Sequence, residues 1–171
     1  SLRSIKKSFL PTDTREHFSF CQTFKAELLS ENSKVEGPIR KTYYMTVDKT
    51  GKRVLVVDDS SMMRVIVCDM MERLGHESIE ARNGIDAVAF AQRHNPDLVV
   101  LDLIMPGESG FDTLTKLRGM EQFRTTPIII LTTEDNEEFA AKAKEGGAND
   151  FLTKPVDLDQ LEEKTRLYLD S

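Results

Sequence analysis

The chain has 171 residues, 39% of them hydrophobic and 30% charged, which suits one medium domain with an appendage and a substantial core. Its net charge of −6 is uneven: residues 1–52 carry +4 and residues 53–171 carry −10, so the larger, acidic part lacks the clustered cations that holding nucleic acid requires. No run approaches the roughly 18 apolar residues of a membrane span, the start lacks the apolar block of a signal peptide, and Cys21 and Cys68 cannot supply a disulfide framework, so the chain reads as cytoplasmic.

Residues 1–51 read as an N-terminal extension, distinct from a domain over 52–171. Asp13-Thr-Arg-Glu16 has capping-box spacing, and Phe20, Phe24 and Leu28 fall near one helical face, which predicts a helix up to about Leu29. Ile39 to Val47 alternates well enough for a short strand. One helix and one strand cannot bury a core of their own, so this extension must dock or stay loose. Met45, just ahead of the regular part, is a candidate natural start.

From Arg53 the pattern becomes regular. Val54 to Val57 is a continuous β-branched and leucine run ending on Asp58-Asp59, and Ser60 opens a helix with apolar Met63, Ile66, Val67, Met70, Met71 and Leu74, closed by Gly75. Cys68 reads as a small apolar filler on that helix. A weaker strand spans about Glu77 to Glu80, and Asn83-Gly84 opens a helix carrying Ile85, Val88, Ala89 and Ala91. Leu98 to Leu101 is a third strand, apolar throughout as one buried on both faces would be, ending on Asp102 before a Pro-Gly loop. Gly110 starts a helix with Phe111, Leu114 and Leu117. Pro127 introduces a fourth strand, Ile128 to Leu131, which ends on Thr132-Thr133. An alanine-rich helix after Glu137 stops at Gly146-Gly147. A short fifth strand, Asp150 to Leu152, leads to Thr153-Lys154-Pro155, and an amphipathic helix runs from about Leu158 to Tyr168. Five strands alternating with five helices predict an α/β fold: a doubly wound, five-stranded parallel sheet joined by right-handed crossovers.

Such a sheet gathers the carboxyl ends of its strands on one edge, which brings Asp58, Asp59, Asp102, Thr132 and Lys154 together. Carboxylates crowded there repel by about 4 kcal/mol per pair at 4 Å and an effective dielectric near 20, so they need a cation. Oxygen ligands without His or Cys select a hard ion, and few protein ligands with room for phosphate oxygens favour Mg²⁺ over Ca²⁺. A carboxylate facing that ion can act as a nucleophile toward phosphorus, with the Lys154 ammonium and Thr132 hydroxyl cancelling charge on the equatorial oxygens.

The motifs V-L-V-V-D-D-S-S-M-M-R, V-V-L-D-L-I-M-P-G, I-I-I-L-T-T-E and G-G-A-N-D-F-L-T-K-P resemble, as a set, the receiver domain of two-component response regulators over about Lys52 to Asp170. The resemblance implies strand order 2-1-3-4-5, a flavodoxin-like sheet. It implies Asp102 as the phospho-acceptor, Asp59 as a direct Mg²⁺ ligand, Asp58 as a ligand through water, and the carbonyl of Ile104 completing the protein's share of the metal shell. Lys154 would contact the phosphoryl group, with a cis bond to Pro155. Thr132 and Phe151 would form a switch pair: the hydroxyl moves toward the new charge, the ring turns into the vacated space, and the face built from the fourth helix, fifth strand and fifth helix repacks. Phe lacks the hydroxyl of Tyr, so no hydrogen bond from the ring tip is available.

The implied partners are a sensor histidine kinase or phosphotransfer protein upstream and a protein target downstream, with no direct nucleic acid contact and no membrane insertion. The only chemistry implied is the domain's own phosphorylation and dephosphorylation, so no turnover on an external substrate is expected. Two departures stand out. Thr133 is bulkier than the Ala or Gly common in the family, which narrows access, and Ser109 stands where Asp is common. An apolar Ile104 offers nothing to orient an attacking water, which predicts slow self-dephosphorylation, with Glu134 the other flanking residue. A metal-dependent phosphatase would carry a second Asp two residues after the nucleophile, where this chain has Ile104. A flavin or nucleotide binder would place glycines and hydroxyls where Asp58 and Asp59 stand. The first helix resembles chemotaxis-type receivers. A single-domain receiver is the expectation, and a receiver module cut from a hybrid kinase or multidomain regulator is the alternative.

Overall fold

The computed structural model describes residues 51–107 and 109–170. The helix and strand expected before Gly51 lie outside the described residues. Five strands, β1 (Arg53–Val57), β2 (Glu77–Ala81), β3 (Leu98–Asp102), β4 (Ile128–Thr132) and β5 (Asp150–Thr153), form one sheet in the order β2-β1-β3-β4-β5. Every neighbouring pair is parallel. Five α-helices alternate with them: α1 (Ser61–Arg73), α2 (Gly84–His94), α3 (Gly110–Arg118), α4 (Glu137–Glu145) and α5 (Leu158–Leu169). The expected doubly wound sheet and its strand order are therefore present.

The central strands explain why their sequences read as unbroken apolar runs. All five residues of β3 and of β4 are buried, because helices cover both faces of the sheet. One face packs Leu55, Val57, Val99, Leu101, Ile128 and Ile130 against Ala87 and Ala91 of α2, Leu114 and Leu117 of α3 and Ala143 of α4. The other packs Val54, Val56, Leu98, Val100, Ile129 and Leu131 against Val67, Met70 and Met71 of α1 and Leu161 and Leu169 of α5. Each buried Val, Leu, Ile or Met among them contributes roughly 1.5–3 kcal/mol by leaving water. The edge strand β2 has only Ala81 buried, which is why its apolar signal is weak.

Short polar side chains fix where the helices begin, and so where the loops at the sheet edge end. Ser60 Oγ accepts from Met63 N (3.4 Å), Asn83 Oδ1 from Asp86 N (2.8 Å) and Asn136 Oδ1 from Phe139 N (2.8 Å). Ser109, which stands where the family often has Asp, is the N-cap of α3 and accepts from Phe111 N (3.2 Å). These caps satisfy backbone donors that the first helical turn leaves unpaired. Cys68 is buried, a core filler as its position on α1 predicted.

Two expectations about the helices do not hold. In α2 the buried stripe is Gly84, Ala87 and Ala91, whereas Ile85 is 69% exposed and Ala89 also faces solvent. The helix turns its smallest residues inward and Ile85 outward. In α1, Ile66 is partly exposed, alongside exposed Met62 and Val65.

Candidate functional site

Parallel register builds the site. Val57 pairs with Leu101, so Asp58 and Asp102, each one residue further, emerge side by side from adjacent strands. Leu131 pairs with Asp102 and Thr132 with Thr153, which carries the same edge across to Lys154. Order reverses between β1 and β3, the crevice where open α/β sheets bind their ligands. Side-chain alternation does the rest. Asp58, Asp102 and Lys154 share the parity of Val56, Val100 and Leu152, and so leave the sheet on one side.

The Lys154 ammonium bridges the two buried acids, donating to Asp102 Oδ2 at 2.5 Å and to Asp58 Oδ2 at 2.7 Å. The remaining oxygen of each acid is held by backbone: Asp102 Oδ1 accepts from Ile104 N (2.9 Å) and Asp58 Oδ1 from Ser60 N (2.8 Å). Asp102 is only 3% exposed. Burial pushes its carboxyl above the usual carboxylate range; the hydrogen bond from Lys154 opposes that shift, and the neighbouring Asp58 adds to it. For Lys154, burial works against the ammonium, but hydrogen bonds to Asp102 and Asp58 outweigh it and raise its pKa. Its side chain is 14% exposed, so it is an integral member of the cluster and no solvated surface charge.

Asp59 is exposed, and it completes a set with Asp58 and Asp102 in which one carboxylate oxygen from each lies within 4.8 Å of the others. An all-oxygen, all-anionic donor set on a solvent-open rim suits a small hard divalent cation, and one ammonium cannot neutralise three carboxylates. The chemistry of these residues therefore fits the Mg²⁺ expected from sequence.

The other expected residues lie around this core. Ile104 is 46% exposed on the rim, an apolar side chain flanking Asp102. Thr132 is fully buried at the end of β4, its hydroxyl accepting from Glu134 N (3.3 Å), while Thr133 beside it is exposed. Phe151 pairs with Ile130 and packs, half-buried, on the face covered by α2, α3 and α4. Thr132 has the same strand parity as Ile130, so hydroxyl and ring occupy one face of the sheet. The peptide bond between Lys154 and Pro155 is cis, as the resemblance implied.

Two features of the site were not legible as functional residues. Gly110 at the start of α3 lies so close to β3 that a Cβ there would stand 2.3 Å from the Asp102 carbonyl oxygen and 2.5 Å from Leu103 Cα. Only glycine lets the helix approach the strand end that carries Asp102. Arg64 on α1 donates to the backbone carbonyls of Asp58 and Asp59. Its motif position signalled a helix residue; its reach back to the loop is a tertiary fact.

A doubly wound sheet with an acid and lysine cluster at its switch point defines a class of phosphate-chemistry and signalling modules, and residues 54–166 match the family model "Response regulator receiver domain". The chain belongs to that family, the receiver domains of two-component signalling. It is similar to Protein PilH of Pseudomonas aeruginosa, 41% identical over 109 residues, spanning 64% of this chain and 90% of PilH. The polar-differentiation response regulator DivK of Brucella anthropi is 29% identical over 118 residues, 69% of this chain and 96% of DivK. Among solved structures, Vibrio cholerae chemotaxis protein CheY4 matches with a TM-score of 0.66 and 33% identity, over 69% of this chain and 98% of that one. The receiver domain of sensor histidine kinase PA1611 from Pseudomonas aeruginosa, with a magnesium ion coordinated in its active site cleft, matches with a TM-score of 0.65 and 27% identity, over 71% of this chain and 99% of that one. Among the described residues no helix is long and apolar enough to cross a membrane.

Proposed function

We propose that this domain is a phosphorylation-dependent switch that receives a phosphoryl group on Asp102 from a histidine kinase or phosphotransfer protein. The observation that carries the reading is the convergence of Asp58, Asp59 and Asp102 with the Lys154 ammonium seated between Asp58 and Asp102. Asp58, Asp59, Asp102 and the carbonyl of Ile104 would hold Mg²⁺, which supplies charge neutralisation at the phosphoryl oxygens. An oxygen of Asp102 forms the new P–O bond as the donor's phosphorus–nitrogen bond breaks, and the donor imidazole leaves with the electron pair. Lys154 stays against the phosphoryl oxygens, moving from carboxylate to phosphate within the same pocket. The domain turns over no external substrate, consistent with the missing acid at Ile104.

The response follows from charge. A phosphoryl group adds about −1.5 to −2 charges beside Thr132. The Thr132 hydroxyl, free to donate once it turns, gains most by pointing at the new oxygens, and Phe151 on the same face takes the space it leaves. That face is walled by α4, of which only Ala143 is buried, so its repacking disturbs few contacts. The α4, β5 and α5 surface is then the part that a downstream protein reads, and the domain works in the cytoplasm.

Intact-mass measurement on the chain with Mg²⁺ and acetyl phosphate tests this reading. A single metal-dependent phosphoryl adduct on the parent and none on Asp102→Asn is the expected result. Adduct on both proteins would move the acceptor elsewhere. The adduct should outlast seconds in Mg²⁺ buffer, because Ile104 holds no water in line for attack.

A further inference from the structure

Arg64 lies one turn into α1, and its side chain folds back over the loop that carries the paired acids. Nη1 donates to two backbone carbonyls at once, those of Asp58 (2.8 Å) and Asp59 (3.2 Å). Nε donates to Glu80 Oε2 (3.0 Å) near the end of β2. The Arg64 side chain is 16% exposed, so this guanidinium is packed in place and tied at both ends.

The two acids differ in what else holds them. Both oxygens of Asp58 are engaged, by Ser60 N and by Lys154, and its own N–H donates to Ala81 O (3.1 Å). Among the described residues the Asp59 carboxylate accepts no hydrogen bond. Its aim is set by the peptide planes on either side of it, and those are the planes whose carbonyls Arg64 holds. A carbonyl tied to a guanidinium cannot rotate toward the cation or let the loop swing outward. The fork geometry matters, since one planar group spans two carbonyls and a carboxylate, which a point-charge ammonium cannot do.

We infer that Arg64, anchored by Glu80, is a positioning residue that aims Asp59 at the metal. This rests on the reading that Asp58, Asp59 and Asp102 hold Mg²⁺. It assigns β2, the edge strand farthest from β4 and β5, a part in metal binding through a single side-chain ion pair.

Mg²⁺ titration of the full chain, followed by backbone amide shifts and paired with thermal unfolding in metal-free buffer, tests the inference. Arg64→Gln should weaken Mg²⁺ about tenfold, the lower end of what loss of an outer-shell partner costs. Arg64→Lys should keep the fold but recover little of the affinity. Glu80→Gln, at an exposed position, should weaken Mg²⁺ by about threefold with unfolding unchanged. Parent-like affinity, within about twofold, in both Arg64→Lys and Glu80→Gln overturns the inference and leaves Arg64 a purely structural tie. Those two variants decide the matter even where Arg64→Gln does not fold. A parent chain with no saturable Mg²⁺ response overturns the metal reading itself, and this inference with it.

Discussion

Two helices on the face of the sheet that carries Thr132 and Phe151, α3 and α4, are held in opposite ways. α3 begins at a glycine pressed against the backbone of Asp102 and Leu103, its Gly110 N–H donating to Leu103 O (3.1 Å), and it buries Thr113, Leu114 and Leu117. α4 buries one residue, Ala143, and otherwise leans on half-buried Phe139, whose ring meets Phe111 at 5.5 Å between centroids, with Lys142 Nζ 4.4 Å from the Phe111 ring centre. The contrast separates two tasks. On the proposed reading the Asp102 carboxylate must be held in place before any chemistry, which a rigid wall does. A change of shape must then reach the surface at small cost, which a sparsely packed helix allows.

The largest expected effect comes from breaking the rigid wall. Gly110→Ala puts a Cβ where backbone atoms already stand, and we expect about 3 kcal/mol of destabilisation or more in chemical denaturation, with loss of phosphorylation by displacement of Asp102. Next is Lys154→Met, which leaves two buried carboxylates facing each other without their cation. It should cost roughly 3 kcal/mol in the absence of Mg²⁺, with part restored as the metal is added, so that the melting temperature gains more from Mg²⁺ than in the parent. A smaller effect sharpens the other side of the comparison: amides of α4 should exchange with solvent well before those of β3 and α3, and Ala140→Gly in α4 should cost no more than about 1 kcal/mol. Equal protection of both helices would remove the distinction.

The smallest effect lies away from both walls and depends on pH. His76 is buried, and desolvation holds its pKa below the ordinary value of 6.5 against the pull of Asp170, with Arg166 lowering it further and Asp97 and Lys52 acting in opposite senses. The unfolded chain therefore binds a proton below about pH 6.5 that the folded chain refuses, so stability falls as pH drops through that value and stops falling below the folded pKa. His76→Gln should flatten this part of a denaturation profile while leaving phosphorylation on Asp102 intact.

The central sheet was legible because parallel strands covered on both faces carry unbroken apolar runs, as β1, β3 and β4 do over Val54–Val57, Leu98–Leu101 and Ile128–Leu131. The same rule placed Asp58, Asp102, Thr132 and Lys154 together, since strand ends of one parallel sheet share an edge. Less legible were features that depend on what a side chain reaches or lacks. Lys154 could be read as a surface charge until register put it between two acids. Gly110 reads as a helix start, and only packing shows that its missing Cβ is the reason it stands there. Arg118 looks like a C-terminal helix cation, yet it donates to carbonyls of Gly147 (2.8 Å), Phe123 (2.6 Å) and Thr126 (2.8 Å) and to Asn149 Oδ1 (2.9 Å), stitching the edge opposite the site. Ile85 misled because helical periodicity does not say which of two adjacent faces turns inward when alanines and glycine suit close packing better.

On the proposed function, charge on Asp102 is read out through the loosely held wall. Backbone amide shifts of the chain, recorded before and after phosphorylation with acetyl phosphate and Mg²⁺, test it most directly. Changes are expected at Thr132, Phe151 and along α4 in addition to those beside Asp102, with α2 unmoved. Changes confined to the residues around Asp102, with α4 and Phe151 unaltered, would contradict it.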